Sequence, residues 1–343
     1  FRGGGQHSID FYDVISFENL FLAWKEFCRG KRKKEDVVRF ELSLEDNLIN
    51  LSQKLQNRTW QPDPYSIFKV CDPKLRTIHK ATVRDRVLYQ AVYRALYQTF
   101  DRSFIFHTYS SRDFRGTHRG VISFEKFSRK VSQNYTRPAW AVKCDVRKFF
   151  DSIDQKILLD LIDRKVKDRQ LMALIRLIVR SFEVLPEKGL PLGNVTSQLF
   201  ANIYLHELDT FVKKELKVNY YLRYCDDFAI LLDSEVQLKE YVEKVKLFLK
   251  KTLLLDIHPH KIIFRKLHQG MDFLGYVMLP HRRVLRTRTK KRMLKKMTSL
   301  KYALTKNLIE EEPLKQRLQS YLGMLTHCKG EKINQQIGQI FRD

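Results

Sequence analysis

The segment from Tyr220 to Leu232 constrains the fold of this chain most strongly. It holds two apolar runs separated by the adjacent carboxylates Asp226 and Asp227, a pattern that predicts a buried β-hairpin with acidic residues at its tip. Two carboxylates in apolar surroundings are costly without a compensating positive charge, so we expect this pair to attract cations. The alternative for an isolated Asp-Asp pair is an exposed turn, because Asp is common in turns.

A third acidic residue ends a different apolar run. The segment from Trp140 to Phe150 has strand character as far as Asp145, which is followed by Phe149 and Phe150 rather than by turn residues. A carboxylate from this strand would complete a cradle with the two at the hairpin tip. Such a set suits magnesium, which prefers oxygen ligands and keeps positions open for water and phosphate.

We therefore predict a site for two Mg²⁺ ions, which Mn²⁺ can replace. Because side chains alternate along a strand, Asp226 and Asp227 cannot both face the same ions squarely, and we expect Asp226 to be the stronger ligand. The predicted metal-binding residues are Asp145, Val146, Asp226 and Asp227.

Hydrophobic periodicity elsewhere predicts a mixed architecture. Residues 1–64 are predicted to be a mostly helical leader, and residues 65–78 a hairpin that turns at Asp72-Pro73. The order strand, helix, helix, hairpin, helix indicates an α+β sheet with helices on one face. Further helices are predicted around 83–96, 157–162, 200–212, 238–249 and 314–325.

The charge balance indicates a polyanionic partner. The 343 residues include 64 Lys and Arg against 39 Asp and Glu, a formal charge of +25, which fits nucleic acid or an anionic membrane surface. No run approaches the roughly 18 apolar residues that span a bilayer, and no signal-peptide start is present, so we expect no membrane partner. Five scattered cysteines without a C-x-x-C pair favour the cytoplasm.

Five ordered motifs resemble those of reverse transcriptases, from about Tyr65 to the end of the chain. The loop motif has Leu192 where group II intron and retroviral relatives more often carry Gln, and this form is similar to diversity-generating retroelement reverse transcriptases. The five motifs are Asp145 to Asp154, Gly189 to Gln198, Tyr224 to Asp227, Phe273 to Tyr276 and Ser320 to Gly323.

The resemblance implies a right-hand polymerase with fingers, palm and thumb, an antiparallel palm sheet backed by helices, and a helical thumb. Residues 1–64 would be the leader, 65–280 the interleaved fingers and palm, and 281–343 a basic thumb. The implied activity is RNA-directed DNA synthesis by two-metal nucleotidyl transfer, copying a retroelement RNA into cDNA with errors at template adenines. A cytoplasmic bacterial, archaeal or phage-encoded enzyme is expected.

The resemblance also assigns roles to individual residues, and for several of them a purely structural role is the alternative. Lys69 and Arg76 would clamp the incoming dNTP or be solvated hairpin charges, and Lys261 would protonate pyrophosphate or lie at the surface. Phe150 would exclude a ribose 2′-hydroxyl, whereas Phe149 would point into the core. The remaining dNTP-binding residues are Leu192 and Gly193, and the template and primer residues are Ser197, Gln198, Phe273, Leu274, Gly275, Arg286, Arg288, Lys290 and Lys291.

The expected partners are template RNA, the cDNA product, dNTPs and a small basic accessory protein, whose oligomeric state is open. Two other functions stay open. A defence-associated, abortive-infection type of reverse transcriptase shares the palm, and neighbouring genes would distinguish it. The second alternative is a non-catalytic RNA-binding module. Such a module would be expected to have lost at least one of the three predicted metal-binding aspartates, and all three are present.

Overall fold

The computed structural model describes residues 10–71 and 75–342, which form a mixed α and β fold with antiparallel sheets, as predicted. The helices are α1 (Phe11–Ile15), α2 (Phe17–Phe27), α3 (Glu35–Leu42), α4 (Leu44–Gln56), α5 (Val83–Asp101), α6 (Thr117–Val131), α7 (Phe149–Ser152), α8 (Gln155–Asp163), α9 (Arg169–Arg180), α10 (Val195–Thr210), α11 (Glu235–Thr252), α12 (Thr287–Thr305), α13 (Glu311–Leu325) and α14 (Glu331–Arg342). The strands are β1 (Ser66–Cys71), β2 (Leu75–Lys80), β3 (Trp140–Asp145), β4 (Tyr221–Tyr224), β5 (Asp227–Leu232), β6 (Ile263–Lys266), β7 (Met271–Phe273), β8 (Tyr276–Leu279) and β9 (Arg282–Leu285).

The chain divides into two compact units, each assembled from three segments. The first contains the described residues up to Phe106, with Val146–Glu215 and Val245–Ile257. The second contains His107–Asp145, Leu216–Lys244 and the described residues from His258 onward. The predicted division at residues 64 and 280 into leader, fingers with palm, and thumb stays a prediction.

The first unit is built around α5. This helix begins after Thr82, whose hydroxyl accepts a hydrogen bond from the Asp85 N–H and so satisfies one of the free donors of the first turn. Both α2 and α10 contact α5. Leu20 and Trp24 of α2 are buried, as their helical spacing predicts.

The hairpin of β1 and β2 also belongs to the first unit. Its two strands pair antiparallel, with Lys69 opposite Thr77 and Val70 opposite Arg76. The predicted turn at Asp72-Pro73 lies outside the described residues.

The second unit contains a four-stranded antiparallel sheet in the order β4-β5-β3-β6. Side chains alternate along each strand, so Ala141, Ala229 and Leu231 share one face. They form a buried cluster with Val121 and Phe124 of α6, the helix that contacts β4 and β5. The small alanines leave room for the aromatic ring, and the sheet is thereby fixed against a helix.

The C-terminal part of the second unit is a three-stranded antiparallel meander, β7-β8-β9, followed by α12, α13 and α14, which contact one another. The helix predicted around 314–325 is α13. One core joins the meander, these helices and the four-stranded sheet through Phe273, Tyr276, Met278, Leu285, Met293, Leu325, Ile333 and Ile337.

Within the described ranges, no helix combines the length and the apolar character that crossing a membrane requires.

Candidate active site

The predicted hairpin with carboxylates at its tip is confirmed. β4 ends at Tyr224 and β5 begins at Asp227, so Cys225 and Asp226 form the two-residue loop between them. In the pairing of β3 with β5, Asp145 stands directly opposite Asp227. Directly paired residues of antiparallel strands present their side chains on the same face, about 5 Å apart at Cβ. The register therefore brings the third carboxylate to the hairpin tip.

The loop itself has an unusual backbone. Cys225 has a φ of 55°, a left-handed conformation that is uncommon for a residue other than glycine, whereas Asp226 has no positive φ. The fully buried Arg223 donates a hydrogen bond from Nη1 to the Cys225 carbonyl at 3.0 Å. Unfavourable backbone conformations of this kind persist where the surroundings enforce them. The hydrogen bond from Arg223 therefore helps to fix the conformation of this loop.

The carboxylates stand in surroundings that disfavour their negative charge. Burial, followed by the charge of Asp145, raises the pKa of Asp226. Burial raises the pKa of Asp227 to about 6, with Asp226 and Asp145 adding to the rise and the ammonium of Lys143 opposing it. Added positive charge would stabilise both ionised groups.

Lys261 is placed beside these carboxylates by a short 3₁₀ turn, Pro259–Lys261. The His258 N–H donates to the Asp145 carbonyl at 2.8 Å, and the Lys261 N–H donates to the His258 carbonyl at 2.9 Å. The Lys261 ammonium then forms an ion pair with Asp145 Oδ1. Lys261 thus contacts the predicted catalytic group directly, which its sequence position alone does not establish.

In the part of the chain that the structure describes, no group of three or more His, Cys, Asp or Glu side chains is already arranged to hold a metal ion. The donor chemistry nevertheless fits a hard divalent cation, because carboxylate oxygens are its preferred ligands and burial, which raises the pKa of Asp226 and Asp227, disfavours their charge without added cations. The side chains that would hold it are Asp145, Asp226 and Asp227. Val146 belongs to the first unit, where its backbone pairs with Ile257.

Phe149 and Phe150 face different surroundings within the first unit. Phe149 is 2% exposed and belongs to the core, as the sequence interpretation expected, whereas Phe150 is partly exposed. The Leu190 N–H donates to the Phe150 carbonyl at 2.8 Å, which ties the loop before α10 to α7. The partial exposure of Phe150 is compatible with contact to a nucleotide.

The loop before α10 requires a glycine at position 193. Gly193 has a φ of +119°, and a Cβ there would lie 3.4 Å from Cγ2 of Ile78. Leu192 is partly buried. Ser197 is buried and Gln198 is exposed in the first turns of α10. The exposed Gly193 and Gln198 are the predicted residues that are most accessible here.

The β1-β2 register separates Lys69 from Arg76. Lys69 is opposite Thr77 and Arg76 is opposite Val70, so the two cations project from opposite faces of the ribbon. Both are exposed. The structure does not bring them together on one face, and a shared dNTP contact has to come from the reach of their long side chains.

The predicted primer hairpin joins β7 to β8 through Leu274 and Gly275. Both have positive φ, 50° and 90°, the pattern of a type I′ turn. Phe273 is fully buried, with its ring stacked on Phe124 at a centroid distance of 5.2 Å. The buried ring supports the hairpin, and the predicted template or primer contact of Phe273 stays a prediction. Leu274 and Gly275 keep that predicted role.

The predicted phosphate-binding cations lie at the start of α12. Arg286 forms an ion pair with Asp272, so it also fastens α12 to β7. Arg288 and Lys291 are exposed and Lys290 is partly exposed. Charge from these three side chains is available to a polyanion.

Two basic residues in this region were not identified from the sequence. Lys143 lies on β3 and Arg223 on β4, and both are buried in strands that are otherwise apolar. The available signal was a charged residue inside an apolar strand close to a catalytic candidate, since buried charges need a partner.

The family described as reverse transcriptase (RNA-dependent DNA polymerase) matches residues 69–278, which is more than half of the chain. The group II intron-encoded protein LtrA of Lactococcus lactis subsp. cremoris is 24% identical over 303 residues, covering 68% of this chain and 49% of that protein. Protein YkfC of Escherichia coli K12 is 22% identical over 247 residues, covering 61% of this chain and 64% of that protein. The chain thus spans about half the length of LtrA and less than two thirds of YkfC.

Among solved structures, apo telomerase from Candida tropicalis, truncated from its C-terminal domain, is similar with a TM-score of 0.49 and 12% identity. The similarity covers 70% of this chain and 60% of that one.

Proposed function

The chain belongs to the reverse transcriptase (RNA-dependent DNA polymerase) family, and on that premise we propose that it copies an RNA template into DNA. The observation that carries the proposal is the register of β3 with β5, which sets Asp145 opposite Asp227 beside the loop that contains Asp226. Members of this family generally depend on divalent metal ions, and these three carboxylates supply the hard oxygen ligands that such ions prefer.

Asp145 and Asp226, with Asp227 beside them, would hold two Mg²⁺ ions. When bound there, such ions would lower the pKa of the primer 3′-hydroxyl and would neutralise charge on the triphosphate. The chain's own contribution is to fix the carboxylates: the β3-β5 register positions Asp145 and Asp227, and Arg223 braces the loop that carries Asp226. A preorganised site of this kind needs little rearrangement during reaction.

Lys261 is the proposed proton donor to the departing pyrophosphate. The support is the contact of its ammonium with Asp145, because a lysine there can deliver a proton from Nζ to a phosphate oxygen. Phe150 is proposed to select deoxynucleotides by crowding a 2′-hydroxyl. Lys69 and Arg76 are proposed to bind the triphosphate, with Leu192 and Gly193 beside the base.

Primer extension on a poly(rA) template with an oligo(dT) primer, dTTP and Mg²⁺ tests the proposal. The unmodified chain is expected to extend the primer. Asp226→Asn is expected to lower the rate at least about 100-fold, because loss of a charged ligand removes several kcal/mol of transition-state stabilisation. If the unmodified chain does not extend the primer even with its cognate RNA and partners, the polymerase assignment is contradicted and a non-catalytic RNA-binding role is favoured.

We further propose that the chain is of the diversity-generating retroelement type and miscopies template adenines into cDNA. The support is Leu192, because an aliphatic side chain cannot donate the hydrogen bonds that Gln would offer near the incoming nucleotide. A small basic accessory protein and a structured retroelement RNA are the partners proposed with this subtype.

A fidelity assay on a template rich in adenines tests this subtype. Leu192→Gln is expected to lower misincorporation opposite adenine several-fold, while errors at the other three bases change less. Equal adenine error frequencies for the two proteins would contradict the proposed role of Leu192. Leu192→Met, which keeps an apolar side chain without a hydrogen-bond donor, is the matched control and should retain the errors.

A further inference from the structure

Lys143 is a buried lysine on the catalytic face of the four-stranded sheet. It precedes Asp145 by two residues on β3, so both side chains project from the same face. It pairs with Ala229 on β5, as Asp145 pairs with Asp227. The residue is only 9% exposed.

Within residues 10–71 and 75–342, no ion pair explains the charge at this position. The neighbouring side chains on this face include Ala141, Ala229 and Leu231, which are apolar. Among the described residues, no carboxylate lies within ion-pair distance of the Lys143 ammonium. A buried ammonium in such surroundings is costly unless a negative charge offsets it. The β3-β5 register puts Asp227 diagonally across from Lys143 on the same face, and the charge of Lys143 opposes the burial that raises the pKa of Asp227.

We propose that Lys143 is a positioning residue, a fixed counter-charge for Asp227 that makes Asp227 a weaker ligand of the divalent ions than the adjacent Asp226. The inference rests on the proposed function and deepens it. A carboxylate that shares its charge with an ammonium is a weaker ligand for a second cation. This gives a physical reason for unequal roles of the two adjacent aspartates at the hairpin tip.

The test measures Mn²⁺ binding to the full chain by electron paramagnetic resonance titration of free Mn²⁺. Lys143→Met removes the charge and keeps the length of the side chain. It is expected to tighten Mn²⁺ binding about tenfold, because Asp227 is then free to act as a full ligand. Lys143→Gln should act in the same direction and serves if the Met variant does not fold.

A matched lysine on the same sheet provides the control. Lys266 is exposed on β6 and pairs with Trp140, at the end of β3 away from Asp145. Lys266→Met removes one positive charge from the same sheet and should leave the Mn²⁺ dissociation constant within about twofold of the unmodified value.

A double-mutant cycle shows whether Lys143 acts through Asp227. In an Asp227→Asn background, Lys143→Met should change Mn²⁺ affinity less than about twofold, because the two sites are coupled. An unchanged affinity for the single Lys143 variants overturns the inference, and so does equal tightening in both backgrounds.

Failure of this inference can be told apart from failure of the polymerase assignment. An unmodified chain that neither binds Mn²⁺ nor extends an RNA-templated primer overturns both. An unmodified chain that binds Mn²⁺ and extends the primer, with Lys143 variants of unaltered Mn²⁺ affinity, overturns only the role of Lys143.

Discussion

Two adjacent phenylalanines on α7 face in different directions, and we expect them to have separate roles. Phe149 is packed in the core of the first unit at 2% exposure, whereas the ring of Phe150 remains partly exposed 5.4 Å from it, centroid to centroid. We therefore expect substitution of Phe149 to affect stability and substitution of Phe150 to affect substrate selection.

Phe150→Ala is expected to admit ribonucleotides. Removing a ring that crowds a 2′-hydroxyl should raise the efficiency of rNTP use relative to dNTP use by one to two orders of magnitude, since steric exclusion and not hydrogen bonding sets the preference. Steady-state incorporation of rTTP against dTTP on one primer–template measures this ratio. An unchanged ratio would remove the steric-gate role from Phe150.

The matched variant Phe149→Ala should behave differently. It is expected to lower the free energy of unfolding by about 3–5 kcal/mol, because it leaves a cavity in a buried site, while the nucleotide preference of the folded fraction stays the same. Urea unfolding of both variants distinguishes the two positions.

At this scale the sequence was informative about acidic residues and less so about basic ones. The position of the aspartates at the hairpin tip was predictable, because two adjacent carboxylates between apolar runs are costly to bury without a cation. Lys143 and Arg223 were not predicted, because a single charge in a strand is usually an exposed one and its burial depends on the neighbouring strands. Lys69 and Arg76 project from opposite faces of their hairpin for a similar reason: their orientation depends on the pairing of β1 with β2, which the sequence did not reveal.

At the scale of elements, Asp36 links three pieces of the first unit. It lies on α3 and forms ion pairs with Lys80 of β2 at 2.7 Å and with Arg86 of α5 at 2.6 Å. Burial alone would raise the pKa of Asp36, but the hydrogen bonds and charges of Lys80 and Arg86 outweigh it and lower the pKa.

Asp36→Asn should destabilise the protein in a pH-dependent way. Because the pKa is lower in the folded state, the ionised form contributes stability above the unfolded pKa of about 3.9, and this is lost as the pH falls through the folded pKa. The loss at pH 7 is expected to be about 1 kcal/mol, limited by solvent screening of this partly exposed group. The difference from the unmodified chain should shrink below about pH 4.

Urea unfolding across this pH range measures the effect, and the neighbouring Glu35 supplies the control. Glu35 is 87% exposed and pairs with Arg39 on its own helix. Glu35→Gln should therefore change stability by less than about 0.5 kcal/mol at any pH. An Asp36→Asn effect that is constant with pH would contradict a role for the ionised carboxylate.

Helices with a clear hydrophobic period were predictable from the sequence. The total number of helices was not. The stripe on α11 is confirmed, with Leu238, Val242, Val245 and Leu249 buried. Two helices were expected between Asp145 and the hairpin, whereas α7, α8, α9 and α10 lie there. The basic run near the C-terminus is helix α12, because its few apolar residues, such as Met293 and Met297, fall on one buried face.

At the scale of the whole molecule, the architecture depends on pairings between distant segments. β3 pairs with both β5 and β6, segments roughly 80 and 120 residues away from it along the sequence, and periodicity within a segment cannot specify such partners. Motif order supplied the polymerase interpretation instead. The formal charge of +25 agrees with a nucleic-acid partner but does not distinguish an enzyme from a binding module.

Single-turnover extension measured together with template–primer binding separates those two functions. The chain is preassembled on one labelled RNA template with a DNA primer, and extension is started with Mg²⁺ and the next dNTP. The unmodified chain, Asp145→Asn and Asp226→Asn should bind the duplex within about threefold of one another, because phosphate contacts dominate affinity. The two variants should lose at least about 100-fold in extension rate. Extension by Asp226→Asn at the unmodified rate would contradict the assignment of the aspartates as the catalytic metal site.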